Sequence, residues 1–485
     1  MLFNSFGFIL FFPIVVGIYF LIPHKYRWML LLISSYYFYM SWNPKYIVLI
    51  FTTTLISYLS GIYIEKAENI RKKKFYLNFS IISNLVILFI FKYFNFFNNS
   101  LREVFNNFNL YYGIPNFKLL LPVGISFYTF QSLIYSIDVY RGNKSAEKHF
   151  GIFALYVSFF PQLVAGPIER SDRLLPQFYE NHNFDYERVT DGLKIMAWGY
   201  FKKVVIADRL SIVVNTVYNN PTEYKGLPLI VASVFFAFQI FCDFSGYSDI
   251  AIGSAKVMGF DLMKNFDKPY FSKTIAEFWR RWHISLSTWF RDYLYIPMGG
   301  NRVRKSRYYF NIFFTFLISG LWHGASWTFV VWGALHGVYQ IIGYITKNIR
   351  EKFVNIIGLS KIPKVHDFIK VVITFILVDF AWIFFRANSM SDAIYIIKNL
   401  FNISSSSHTG INILFNLGLD KVSFIVGIVS ILIMETVHLI QEKIDIIENL
   451  EKSPIVFRWL CYYTVIFSII VFGVFQQSQF IYFQF

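Results

Sequence analysis

Histidines set inside apolar sequence are the first residues here with the means to do chemistry. His323 lies in ISGLWHGASWTFVVWGALHG, residues 318–337, between Gly320 and Gly324, where a span can unwind and let the backbone approach a ligand closely. An imidazole with its ordinary pKa near 6.5 serves as a general base at neutral pH, and burial favours the neutral form that this role needs. A packed, hydrogen-bonding histidine is the plain alternative. His336 sits in a similar Leu-His-Gly setting. On one continuous helix the two would stand roughly 20 Å apart and would not share a site. No second histidine or carboxylate falls at ligand spacing to His323 within the segment, so a metal site is the weaker option.

His283 belongs to EFWRRWHISLSTWFRDYLYIPMGGNR, residues 277–302. Trp279, Trp282, Leu286, Trp289 and Tyr293 follow steps of three and four, which predicts one aromatic stripe on a single helix. Arg280, His283, Ser287 and Arg291 make a second stripe beside it. An interfacial helix with tryptophans in lipid and arginines at phosphate level explains the pattern without chemistry. Against it, His283 stands between arginines suited to clamp a phosphate-bearing donor, and PMGGN then forces a tight turn. Arg280, Arg281, Arg291 and Ser287 are therefore donor-binding candidates, although the arginines suit lipid contact equally. A third cluster, FCDFSGYSDIAIGSAKVMGFD at 241–261, interrupts an apolar run with Asp243, Ser245, Ser248 and Asp249. Such residues are costly in a bilayer, and a broken helix carrying them must be buried in protein or line water. Asp243, Ser245 and Asp249 are tunnel-lining candidates, with a helix-packing seam as the alternative. Finally the chain ends FIYFQF, residues 480–485, in which Tyr482 and Gln484 carry the polar side chains. An interfacial aromatic belt is its plain reading.

What positions these residues follows from composition. The chain of 485 residues is 55% hydrophobic and 21% aromatic, beyond what a soluble globular chain shows. It reads as an all-α polytopic membrane protein. Apolar runs long enough to cross ~30 Å of hydrocarbon fall at roughly 6–22, 28–42, 46–64, 75–94, 119–137, 227–245, 308–321, 325–345, 367–385, 423–440 and 457–475. HFGIFALYVSFFPQLVA, 149–165, is a further span or a re-entrant pair, and 160–226 reads as re-entrant or interfacial sequence followed by an amphipathic helix. The first segment lacks a basic lead-in and a small-residue cleavage site, so it is expected to be a retained span. Arg71, Lys72, Lys73 and Lys74 form the densest basic cluster and belong in the cytoplasm. Counting from them places the N-terminus and the 95–118 loop outside and Arg141, Lys144 and Lys148 inside.

The net charge of +16 is spread over short loops, which anionic lipid head groups and inward loop bias explain without nucleic acid. Cys242 and Cys461 sit in apolar surroundings without a CxxC, so neither a disulfide framework nor a thiolate metal site is expected. The absence of repeats and linkers predicts one integral domain over 1–485. No nucleotide fold or flavin motif is evident, so no bound cofactor is expected.

The combination of FPQLVAGPIER, FCDFSGYSDIAIG, FWRRWHISLSTWFRDYLYIPMGGNR and SGLWHGASWTFVVWGALHG resembles the bacterial branch of the membrane-bound O-acyltransferase superfamily. It is nearest to the alginate and peptidoglycan O-acetyltransferase membrane subunits, and the likeness runs over essentially the whole chain. The resemblance implies a ring of tilted transmembrane helices with re-entrant segments around a central tunnel, set in the bacterial cytoplasmic membrane. It implies acetyl transfer from a cytoplasmic donor, acetyl-CoA, to hydroxyls of an extracytoplasmic polysaccharide, completed by an extracytoplasmic partner of SGNH type. Carried over by motif, His323 is the central catalytic histidine and His283 the second. FIYFQF resembles the F-x-Y-F-x-F motif that the D-alanylation system carries on a separate small protein, which makes Tyr482 an acyl relay. A phenol with a pKa near 10 needs a base such as His323 for that role. An odd number of spans from an external N-terminus would leave this tail inside, whereas a relay to an external glycan needs it outside. D-alanyl transfer to teichoic acid and glycan export are the competing expectations. Transporters usually show repeated halves, and the histidine motifs occur once.

Overall fold

The computed structural model describes residues 1–164, 166–402, 411–475 and 480–481, and every regular element among them is helical. They group into two compact units, one of Met1–Met196 with Ile250–Met263 and one of Ala197–Asp249 with Lys264–Phe485.

Seven of the described helices are long and apolar enough to cross a membrane: Pro44–Lys66, Ile70–Asn107, Leu227–Met258, Trp327–Ile345, Pro363–Arg386, Lys421–Gln441 and Ile455–Phe472. Five of them end within a few residues of the runs read from the sequence, while Ile70–Asn107 and Leu227–Met258 extend well beyond the expected 75–94 and 227–245; a segment without water must satisfy every backbone polar group internally and can do so only as helix. Ile455–Phe472 has no buried residue, so its apolar side chains need lipid as their solvent. In the first unit, helices Ile47–Lys66, Ile70–Leu88 and Ile125–Arg141 are joined by small polar groups. Ser80 and Ser136 share a hydroxyl hydrogen bond of 2.7 Å, and Asn84 Nδ2 donates to Ser57 Oγ at 3.2 Å. Interhelical hydrogen bonds of this kind substitute for the hydrophobic drive that lipid removes.

Two expectations change, and of the two readings of 149–165 the single span falls away. The helix expected to break within 241–261 is continuous from Leu227 to Met258, because its polar groups find partners on a neighbouring element. The 149–165 run forms helices Phe150–Ser158 and Phe160–Leu163. Nine residues rise about 14 Å, short of a crossing. The 277–302 stretch is not one helix but two, Ile275–Arg281 and Ile284–Phe290, followed by a π-helical turn at Arg291–Tyr295. Its tryptophans 279, 282 and 289 are buried in protein, not spread in lipid. In the amphipathic region, Tyr186–Tyr200 runs through a π-helical stretch, Phe201–Ala207, into Asp208–Asn219.

Candidate active site

His283 sits at the break between the two short helices. Thr274 caps the first by accepting from Glu277 N, and the first ends where Trp282 N donates to Phe278 O at 2.8 Å. His283 then takes φ 43° and ψ 56°, a left-handed conformation that costs a non-glycine residue about 1–2 kcal/mol. Asn265 holds it there. Ile284 N donates to Asn265 O at 2.9 Å, Ser285 N and Oγ both donate to Asn265 Oδ1, and Asn265 Nδ2 donates to Ser248 Oγ at 3.2 Å. The Ser285 N–H is a donor only, so the atom it meets must be the amide oxygen. His283 Nδ1, 3.0 Å from the same oxygen, must then carry its proton, which leaves the lone pair on Nε2. The ring is fully buried, edge-on to Phe244 at 4.6 Å, and burial pushes its pKa down to about 3. His283 is thus a neutral imidazole of fixed tautomer.

His323 ends the helix Lys305–His323, and Ser326 caps the next helix, Trp327–Ile345, by accepting from Thr328 N. The two helices form a tight hairpin. A Cβ at Gly320 would lie 2.3 Å from Phe329 O, and one at Gly333 would lie 2.4 Å from Phe316 O, so glycine is required at both. The hairpin brings together histidines that one straight helix would separate. His323 and His336 each lie 4.9 Å from the buried ring of Trp332. His336 is further engaged, with Trp279 Nε1 donating to its Nδ1 at 3.2 Å. The indole of Trp322 lies 5.0 Å from the His323 ring and 6.2 Å from that of His283, so the two expected histidines share an aromatic neighbour.

The acidic candidates on Leu227–Met258 meet two consecutive buried lysines. Lys203 Nζ lies 2.5 Å from Asp243 Oδ1 and 2.8 Å from Asp208 Oδ1, while Lys202 Nζ lies 2.7 Å from Asp249 Oδ2 and donates to Ser245 Oγ at 3.0 Å. Phe480 and Ile481 reach the same place. Phe480 and Ile481 are 0% and 2% exposed, so this part of the tail is buried rather than spread in an outer belt. Phe480 packs 4.5 Å from Tyr247 and 5.7 Å from Phe244, and Ile481 N donates to Asp243 Oδ2 at 2.8 Å. Tyr482 lies outside the described residues.

The cationic stripe expected around His283 does not form, because the left-handed turn points the imidazole inward. Arg280 and Arg291 are exposed, with Arg291 paired to Asp292 at 2.7 Å. Arg281 pairs with Glu277 and Glu442, and Ser287 Oγ donates to Trp282 O at 3.1 Å. Sequence reasoning missed Asn265, Lys202, Lys203 and Asp208. The adjacent lysines in YFKKVVIAD were the available signal; Asn265, in a loop, offered none. In the first unit, Glu169 of the GPIER motif is fully buried and accepts from Met263 N, and burial raises its pKa to about 7.

Residues 149–385, which contain both histidines, match the membrane-bound O-acyltransferase family. Over 413 residues the chain is 40% identical to the probable alginate O-acetylase AlgI of Pseudomonas aeruginosa, covering 84% of this chain and 76% of that protein. The chain belongs to the membrane-bound O-acyltransferase family. It is accordingly a multi-pass membrane acyltransferase, and seven of its described helices are long and apolar enough to cross a membrane. The peptidoglycan O-acetyltransferase of Helicobacter pylori is 35% identical over 405 residues, covering 78% of this O-acyltransferase and 74% of that protein. The teichoic acid D-alanyltransferase of Streptococcus thermophilus is 31% identical over 242 residues, 46% of this chain and 57% of its own.

Proposed function

We propose that this protein moves acetyl from cytoplasmic acetyl-CoA to hydroxyls of an extracytoplasmic polysaccharide across the bacterial cytoplasmic membrane. An SGNH-type partner completes delivery. Relatives named for alginate and peptidoglycan O-acetylation match three quarters of their own length, against 57% for the D-alanyltransferase. That difference favours acetyl over D-alanyl as the group carried.

In the proposed reaction His323 takes the phenol proton of Tyr482, and the phenolate oxygen attacks the thioester carbonyl. The C–S bond breaks and the thiolate leaves, to be protonated as free coenzyme A. An acceptor hydroxyl then attacks the aryl ester, its proton passes to the base, and the phenol is regenerated. His283, neutral and held by Asn265, is proposed to orient the acyl group beside His323. Of the donor-binding candidates, the exposed Arg280 suits donor phosphates best, since Arg281, Ser287 and Arg291 already have partners in the protein. The observation that carries the relay is the tail itself. Phe480 rests on Phe244, whose ring meets His283 at 4.6 Å, and Ile481 directly precedes Tyr482.

The test is mass spectrometry of the C-terminal peptide after incubation of the purified protein with isotope-labelled acetyl-CoA. Label on Tyr482 that is absent in Tyr482→Phe and His323→Ala is the expected result. Acetylated glycan from Tyr482→Phe with no label on the wild-type tail would leave direct transfer, and loss of glycan export with unchanged acetylation in His323→Ala would replace the transferase reading by an exporter.

A further inference from the structure

Burying an ammonium ion is expensive unless it is paired, and most such pairs do no more than balance that cost. The group around Lys203 does more. Lys203, Asp208 and Asp243 are 1%, 3% and 3% exposed, and the lysine lies between the two carboxylates. The π-helical stretch Phe201–Ala207 gives the lysine its place. It packs so closely on Leu227–Met258 that a Cβ at Gly246 would lie 3.2 Å from Lys203 N. One carboxylate oxygen of Asp243 meets the ammonium, while the other accepts the N–H of Ile481.

The same region holds the main chain at two further points, at and just after the end of helix Ile455–Phe472. Val474 N donates to Val204 O at 2.9 Å, and Arg209 Nη2 donates to Phe472 O at 2.5 Å. Residues 203–209 therefore touch the end of the last helix at Phe472, the first residue after its turn at Val474 and, through Asp243, the main chain at Ile481. A main-chain hydrogen bond fixes where the chain runs whatever side chains it carries. An anionic acceptor makes that bond roughly twice as strong as a neutral one.

We infer that Lys203, Asp208 and Asp243 form a clamp that seats the C-terminal tail in the acyltransferase, with Asp243 as the positioning residue for the main chain at Ile481. As part of an acetyl relay the clamp rests on the proposed function; as a tail anchor it stands independently. The lysine orients Asp243, Asp208 holds the lysine, and Tyr247 and Phe244 receive Phe480.

The experiment trims the full-length protein in lipid nanodiscs with carboxypeptidase Y and follows its intact mass. Asp243→Ala alone leaves an unbalanced buried lysine and risks misfolding, so the comparison uses a charge-free background. In Lys203→Met with Asp208→Leu, position 243 is made either Asn, which keeps an oxygen for Ile481 N, or Leu, which does not. In wild type and the Asn variant, trimming is expected to stop within residues 482–485. In the Leu variant it should pass Ile481 and Phe480 at least ten-fold faster, at an unchanged melting temperature. Equal trimming of the Asn and Leu variants overturns the clamp. The trimming contrast with no acetyl on Tyr482 in the labelling experiment keeps the clamp and removes the relay.

Discussion

Replacing Asn265 with alanine removes four side-chain hydrogen bonds at once: to His283 Nδ1, to Ser285 N and Oγ, and to Ser248 Oγ. Two of the abandoned partners, the imidazole N–H and the Ser285 amide, are donors in a buried place. Each costs about 1–3 kcal/mol when left unmade, so the local penalty is about 2–6 kcal/mol. The left-handed conformation of His283 costs about 1–2 kcal/mol of its own, and this penalty is enough to release it. A reacting group displaced by ~1 Å loses on the order of a hundred-fold in rate. Acetyl transfer by membranes carrying Asn265→Ala is therefore expected to fall about a hundred-fold, with unchanged protein in the membrane. Asn265→Asp gives the sharper result. It keeps an acceptor at 3.0 Å but adds a negative charge, which favours the protonated ring and raises the His283 pKa from about 3. Below the raised pKa the neutral imidazole of His283 is lost in addition to the base His323, so activity should fall further on the acid side in Asn265→Asp than in wild type. A wild-type rate in Asn265→Ala, or superimposable pH profiles for Asn265→Asp and wild type, would refute the reasoning.

Gly320→Val places a side chain 2.3 Å from Phe329 O and should open the hairpin, costing about 3 kcal/mol or more; a melt in detergent, with His323 displaced and activity lost, checks it. His336→Gln keeps an acceptor for Trp279 and is expected to stay within several-fold of wild-type activity, whereas His323→Gln is expected to be inactive; equal losses would merge the two roles. The Glu169 carboxyl titrates near 7 in the fold against 4.5 outside it. Its contribution favours the fold below pH 4.5 and is lost as pH rises through 7. The melting-temperature difference between Glu169→Gln and wild type should thus widen in the variant's favour across that window, corresponding to about 3 kcal/mol, and a difference independent of pH would count against a buried, protonated carboxyl.

The spans were legible because hydrocarbon leaves a chain one local answer, and that answer needs a run of about 20 apolar residues. Trp327–Ile345 against an expected 325–345 shows how closely such a run fixes its helix. The break at His283 was not legible. The steps of three and four run through RRWHISL without a glycine, a proline or any other stop signal. What breaks the helix is Asn265, eighteen residues earlier in the chain, which offers Ile284 and Ser285 better partners than a helical turn would. Tertiary hydrogen bonds here override periodicity, and one sequence contains no trace of them. The stretch 241–261 shows the reverse error. Its aspartates suggested a broken helix because their partners were not visible, and the partners are lysines some forty residues upstream on another helix.

Those two lysines separate a packing role from a positioning one. They are adjacent in sequence, and their aspartates are six residues apart on one helix, about 9 Å along its axis. Lys202, Asp249 and Ser245 form a group contained within the crossing of two elements. A hydrophobic replacement of that pair would be expected to cost little, as for many buried pairs. The Lys203 group has the same chemistry, yet one oxygen of Asp243 points away from the crossing and takes the amide of Ile481, a residue 238 positions further on. Helix packing gains nothing from that contact. If both groups only held helices together, neutralising either would leave the tail as it was; only the Lys203 group is placed so that its removal frees the residue preceding Tyr482.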